Sequence, residues 1–420
     1  VAGVPGGLDN KWGQHGQPVV DMKKVFDVSL ITVCQLLALS LWFSATAVLP
    51  QLRAEFHLGA VQSSLFTSSV VMGFILGTLA SAFLGLADRL DPRRFFALSA
   101  LVAGGANILI LAVPVDGIAV MFLRLLTGIC MAGIYPIGMK MVATWARGDT
   151  GFLVGLLVGA LTLGSALPHL FSVALPLDWR LVMVAASGSA WLAALGVLFV
   201  KLGGAVGRSP RFDPGAVRHI IANKALRHAG YGYFGHMWEL YAMWGWTGLF
   251  LFRTYQARGV DDASLWAALT TFAIIGIGAL GSLLGGIWAD CWGRTTITIS
   301  AMSISGLCAL FTGALAAAPL PVLVIVCLIW GISVIADSAQ FSSCVIELAE
   351  PDHVGTALTL QNAVGFFIAL VSIHLVPVVA DAFGWWVSFA MLAVGPVMGV
   401  MAMARLRAMP DARKLARGRR

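Results

Sequence analysis

Charge is what this sequence lacks most: Asp, Glu, Lys and Arg make up 11% of its 420 residues. Soluble domains carry about a quarter, so the chain cannot clothe a water-facing surface. A soluble enzyme or a nucleic-acid-binding domain is thereby excluded. Cysteine is also scarce. Cys34, Cys130, Cys291, Cys308, Cys327 and Cys344 sit in or beside apolar runs, and none forms a CxxC pair. Neither a disulfide framework nor a zinc site is expected. There is no GxxxxGK[ST] phosphate loop for ATP hydrolysis, no HExxH and no paired catalytic carboxylates. No cofactor and no enzymatic activity are expected. Nor do the apolar segments alternate in polarity as strands of an outer-membrane barrel would.

What is present is apolar: 59% of residues are hydrophobic and mean hydropathy is +0.88. About 20 apolar residues span a bilayer as a helix. Runs of that kind begin near Val28, Val61, Phe95, Gly117, Gly151 and Leu181. They resume near His228, Leu265, Thr295, Leu320, Val354 and Trp385. The chain therefore reads as an all-α polytopic membrane protein with twelve transmembrane helices in two pseudo-symmetric six-helix bundles. The expected divisions are a disordered tail (1–27), an N-terminal bundle (28–202), a linker (203–227), a C-terminal bundle (228–404) and a basic tail (405–420). Met22 is a candidate start residue, and the first run is too long for a cleavable leader. With the N terminus inside, about 21 Lys and Arg fall on the inner side and about 4 on the outer. Both termini and the linker are thus expected in the cytoplasm, with the protein in the inner membrane. The net charge of +7 reports this topology, not a nucleic-acid partner.

The halves echo one another. Gly128-Ile129 matches Gly331-Ile332 at an offset of 203 (331 − 128), and Asp149 matches Asp352 at the same offset. Between the second and third runs stands LGLADRLDPRR (84–94); between the eighth and ninth stands GGIWADCWGR (285–294). Asp88, Arg89 and Arg93 fit the pattern G-x-x-x-D-R-x-G-R-R, with Gly85 one place late and Asp91-Pro92 in place of Gly-Arg. Gly286, Asp290, Gly293 and Arg294 fit the second copy in register. On these motifs, the twelve runs and the central linker, the whole chain resembles the major facilitator superfamily. The resemblance implies a transporter whose motif closes the cytoplasmic side. Physical chemistry agrees: Asp88 ends one helix and Arg93 and Arg94 begin the next, each against its own helix dipole. Each is expected to find a partner in the opposite half, near Val354.

Ionisable residues inside spans are costly and by default functional. Arg124 fits the family's R-x-x-x-G in the fourth helix, through Gly128, and the resemblance implies anion binding or proton coupling there. Glu239 lies mid-helix in the seventh run with His236 one turn earlier, so the two are expected to share a coupling proton. The aromatics Trp238, Tyr241, Trp244 and Trp246 are expected to face packing or lipid more than substrate. Asp337 lies in the tenth run with Gln340 one turn on; it is a second protonation site, a cation anchor or a partner for Lys140. Lys140 otherwise snorkels to the surface. Gln35, His169, Gln361, Asn362 and His374 are expected to bond between helices.

These residues point to a secondary active transporter working by alternating access, coupled to protons. Symport of a small organic anion on Arg124 is the first expectation. Proton-driven export of an amphipathic compound is the alternative, although the family's antiporter pattern in the fifth helix stops at Pro168-His169. The expected partners are a small-molecule substrate, protons and lipid, with the chain acting as a monomer.

Overall fold

The computed structural model describes residues 21–147, 150–175, 178–204, 213 and 215–419. Residues 1–20 of the expected tail, much of the linker and Asp149 lie outside the described residues; residues 22–27, expected in that disordered tail, instead begin the first helix, with Asp27 buried in it. Those described form helices, with no strand among them.

The first pass, α1, is broken into Met22–Leu39, Ser44–Ala47 and Leu49–Phe56. It is followed by α2 (Ala60–Leu84), α3 (Pro92–Leu109) and α4 (Ile118–Met131 and Tyr135–Ala143). The first half ends with α5 (Thr150–Ala174) and α6 (Trp179–Gly196). The second half holds α7 (Lys224–Ala257), α8 (Ala263–Gly276 and Gly278–Trp292), α9 (Arg294–Thr312) and α10 (Leu320–Ala336 and Ser338–Leu348). A left-handed Gly384 (φ 84) divides the long helix Val354–Leu392 into two passes. Residues 354–383 are α11, and residues 385–408 are α12.

By length and apolarity nine described stretches suffice to cross a membrane, and one of them, Val354–Ala408, makes two passes. α1 and α7 complete twelve. These two are the most polar of the set, and they face each other across the seam between the halves. That position removes them from lipid and tolerates their polarity.

Bare backbone sets the tightest packing. A Cβ on Gly128 of α4 would lie 2.0 Å from the Val70 carbonyl oxygen of α2, and one on Gly73 would lie 2.1 Å from Leu125 O. In the second half, a Cβ on Gly331 of α10 would lie 1.9 Å from Ile274 O of α8. Gly128 and Gly331 are the pair matched at an offset of 203, so the sequence echo is a shared packing contact. Small residues let membrane helices approach this closely. Gly128→Ala is expected to destabilise the protein by about 1–3 kcal/mol through overpacking, read as a lower unfolding midpoint in detergent.

The halves meet along two seams, α2 with α11 and α5 with α8. At the end carrying the linker (the linker side) the helices splay around a cavity of about 520 Å³. At the opposite end (the far side) they close.

Candidate functional site

The cavity walls come from both halves: Phe74, Thr78, Tyr135 and Met139 on one side, and Tyr233, Met237, Tyr241, Asn362 and Phe366 on the other. Its charged lining is confined to the mouth, where Asp290, Arg294 and Glu347 lie. Interlocked rings close its roof. Trp42 lies 5.0 Å from Phe74 and 5.7 Å from Tyr241, and Phe366 lies 4.7 Å from Phe74 and 5.1 Å from Tyr241 (ring centroids). Phe43 and Trp244 extend the cluster across the seam at 5.9 Å. Trp238 donates to Met391 O, and Trp246 to Ile373 O. Of the four aromatics expected to face packing or lipid, Tyr241 instead lines the cavity and Trp244 belongs to its roof. α7 sits in the seam rather than on the rim, so several of its faces are buried at once.

Arg124 does not face the cavity. It is 0% exposed, and its guanidinium is spent on main chain freed where α1 unwinds between Leu39 and Ser44. Nη2 donates to Trp42 O at 2.7 Å; Nη1 to Leu41 O, Ser44 Oγ and Asn107 Oδ1; Nε to Phe66 O at 3.0 Å. A buried carbonyl without a partner is costly; this side chain supplies the donor to Trp42 O and a further one to Leu41 O, which also accepts from Ser44 N and Oγ. Asn107 extends the clasp by donating to Met183 O and Ser187 Oγ.

The carboxylates lie behind the cavity wall, inside the second half. Glu239 accepts from Trp330 Nε1 at 2.7 Å and from Ser305 Oγ at 2.9 Å. His236 does not join it. Its Nδ1 lies 2.8 Å from Asp337 Oδ1, with both side chains buried, and its Nε2 has no protein partner. Residues one turn apart share a face, but Glu239 reaches Ser305 of α9 and Trp330 of α10 while His236 reaches Asp337 at the break in α10. Asp337 stands where α10 breaks between Ala336 and Ser338. Ile134, 203 residues earlier (337 − 203), stands at the equivalent break in α4.

The two motif copies lie at the linker side. Asp88 pairs with Lys140 Nζ at 2.5 Å, and Lys140 also donates to Ala87 O at 2.6 Å. This partner of Asp88 lies in its own half, on α4. Lys140 serves Asp88, not Asp337. Arg89 is exposed at the end of the short turn Leu86–Arg89. Asp91-Pro92 begins α3: Asp91 accepts from Arg93 N at 2.9 Å and Arg94 N at 3.3 Å, and Pro92 takes the first helical position. Arg93 folds back on Asp91 at 2.8 Å. That side-chain bond, with the Arg94 N–H, holds the Asp91 carboxyl below the ordinary carboxylate range.

In the second copy Gly293 turns the chain at φ 94, and Arg294 pairs with Glu347 at 2.6 Å and donates to Gln340 Oε1 at 2.8 Å. Gln340 therefore serves Arg294, not Asp337. Asp290 lies 3.6 Å from Arg294 and is largely exposed, and Gly286 lines the cavity. Glu347, Trp330, Ser305 and the roof aromatics Trp42, Phe43, Phe74 and Phe366 were not singled out by sequence reasoning. Each gains its place from a neighbour far along the chain.

The family model of the Major Facilitator Superfamily matches residues 31–372. An uncharacterized transporter of Buchnera aphidicola subsp. Schizaphis graminum is 26% identical over 149 residues. That match covers 34% of this chain and 35% of that protein, about a third of its length. A bacterial homolog of the human lysosomal transporter Spinster, solved inward-facing and unoccupied, superposes with a TM-score of 0.71 at 15% identity. The match covers 94% of this chain and 98% of that one. The nucleoside transporter NupG, in a mutant form, gives 0.69 at 13% identity over 90% and 99%. The structural matches carry the fold, and the family model carries the membership. The chain belongs to the Major Facilitator Superfamily of transporters.

Proposed function

We propose that the protein moves an uncharged or cationic compound with an aromatic or apolar body by alternating access, coupled to protons through the Glu239 and Asp337–His236 groups. The observation that carries this reading is the cavity lining. Its centre is aromatic and apolar, and its mouth has two carboxylates, Asp290 and Glu347, against one cation, Arg294, already paired. A small anion finds no free cation there, since Arg124 is sealed behind helix backbone. The amphipathic-compound reading therefore stands ahead of small-anion symport.

The linker side, rich in Lys and Arg, faces the cytoplasm in this proposal, with both termini beside it and the protein in the inner membrane. The conformation is then inward-open, and export from the cytoplasm is the direction we assign. Coupling would run through α7 and α10: Glu239 and His236 are on the first, and Asp337 is at the break in the second. A proton exchanged at either carboxylate changes the charge buried between two helices that wall the cavity. The chain is taken to act alone, as a monomer.

Vesicles holding the purified protein, under an imposed pH gradient, test this with fluorescent aromatic cations, neutral aromatics and small carboxylates. Gradient-dependent movement of the aromatic probes, and none of the carboxylates, is expected. Carboxylate movement on the gradient would restore the anion reading. Movement indifferent to the gradient would remove proton coupling.

A further inference from the structure

The far side closes by more than stacked rings. His374 on α11 bonds Ser68 on α2 through Nε2, 2.9 Å from Oγ. This bond joins the two halves across one seam. A second imidazole stands near the other seam. His169 on α5 is buried, and a Cβ added to Gly248 of α7 would lie 3.4 Å from its Cε1 and 3.5 Å from Thr271 Oγ1 of α8. Thr271 is Ser68 displaced by 203 residues (271 − 68), and His374 is His169 displaced by 205 (374 − 169). Of the two imidazoles only His374 bonds across a seam; Thr271 donates its hydroxyl to Ala267 O, and His169 stands near it.

Two further features set these histidines apart from packing residues. Each lies beside a proline inside its helix, Pro168 on α5 and Pro377 on α11. An in-helix proline removes one backbone hydrogen bond and leaves a place to bend. Also, His169 Nε2 and Gln51 Oε1 are buried without a protein partner, and both residues line a small far-side cavity of about 20 Å³. That space fits one water molecule able to join them. A polar contact of this kind inside a closed gate is cheap to exchange for solvent.

We propose that His374 and Ser68 are a far-side latch. The His374–Ser68 bond bridges the α2–α11 seam in the closed state and breaks, by bending of α11 at Pro377, when the far side opens. The latch rests on alternating access, but its test needs neither a substrate nor a proton gradient, so it stands or falls apart from the substrate reading.

The test reads far-side opening directly. Cys291, which is exposed, is first replaced (Cys291→Ser), and Leu240→Cys places a reporter on the cavity wall. A membrane-impermeant maleimide confined to the far side then labels the reporter only when that side opens. Ser68→Ala and His374→Ala are each expected to raise the labelling rate about three- to tenfold, the equilibrium effect of one lost hydrogen bond. The double variant should add little, because both remove the same bond. Labelling within twofold of the parent in Ser68→Ala would overturn the latch. That variant loses a single hydroxyl and keeps the fold testable should His374→Ala misfold.

Discussion

Glu239→Gln is expected to leave the protein folded and to abolish its response to a pH gradient. The amide is isosteric, and its oxygen can still accept from Trp330 Nε1. Ser305, whose hydroxyl bonds the other carboxylate oxygen, already has the Met302 carbonyl at 3.3 Å as an alternative acceptor. It can turn to that carbonyl and accept from the new amide. The change in stability should stay within about 1 kcal/mol, the net worth of one hydrogen bond. What the amide cannot do is take up or release a proton. Gradient-driven accumulation in vesicles should fall to the passive rate, while binding of the same probe, followed by thermal shift, persists. Accumulation at the parent's rate would move the proton site elsewhere, with the Asp337–His236 pair next in line.

Arg124→Ala should have the largest effect on stability. It leaves the Trp42 carbonyl without its donor and takes a second donor from Leu41 O, Phe66 O and Asn107 Oδ1, in a fully buried site. The unsatisfied buried acceptor and the cavity left behind should together cost about 3–5 kcal/mol. Arg124→Lys should recover only part of this, since one ammonium cannot reach acceptors arranged around a planar fork. Unfolding midpoints in detergent check both. The opposite result, a stable Arg124→Ala protein that has lost transport of a carboxylate, would make Arg124 a substrate ligand after all.

How these charges are partnered separates what could be read in advance from what could not. Asp91-Pro92 departs from the family pattern, yet it is a local signal: a capping carboxylate followed by proline at the first helical position. The packing role of Gly128 and Gly331 was present as a sequence echo, although only the facing backbones of α2 and α8 say what the glycines are for. Asp88 illustrates the other case. Its unfavourable helix end predicts a partner, but only the fold brings Lys140, 52 residues on in the same half, beside it. His236 and Glu239 share a helix face and still part company, each drawn to a different residue on a neighbouring helix.

By itself the sequence determined a helical membrane protein of two related halves, the motif positions and the few buried charges. The reason is that lipid leaves the backbone no alternative to helices and makes each buried charge conspicuous. The tertiary structure decided which charges face the cavity. It sealed Arg124 behind the unwound stretch of α1, set Glu239 and Asp337 inside the second half and gave the cavity to aromatics. Those outcomes depend on the rotation of each helix about its own axis. That rotation is set by contacts between residues tens to hundreds of positions apart, which an apolar run, hydrophobic on every side, does not encode.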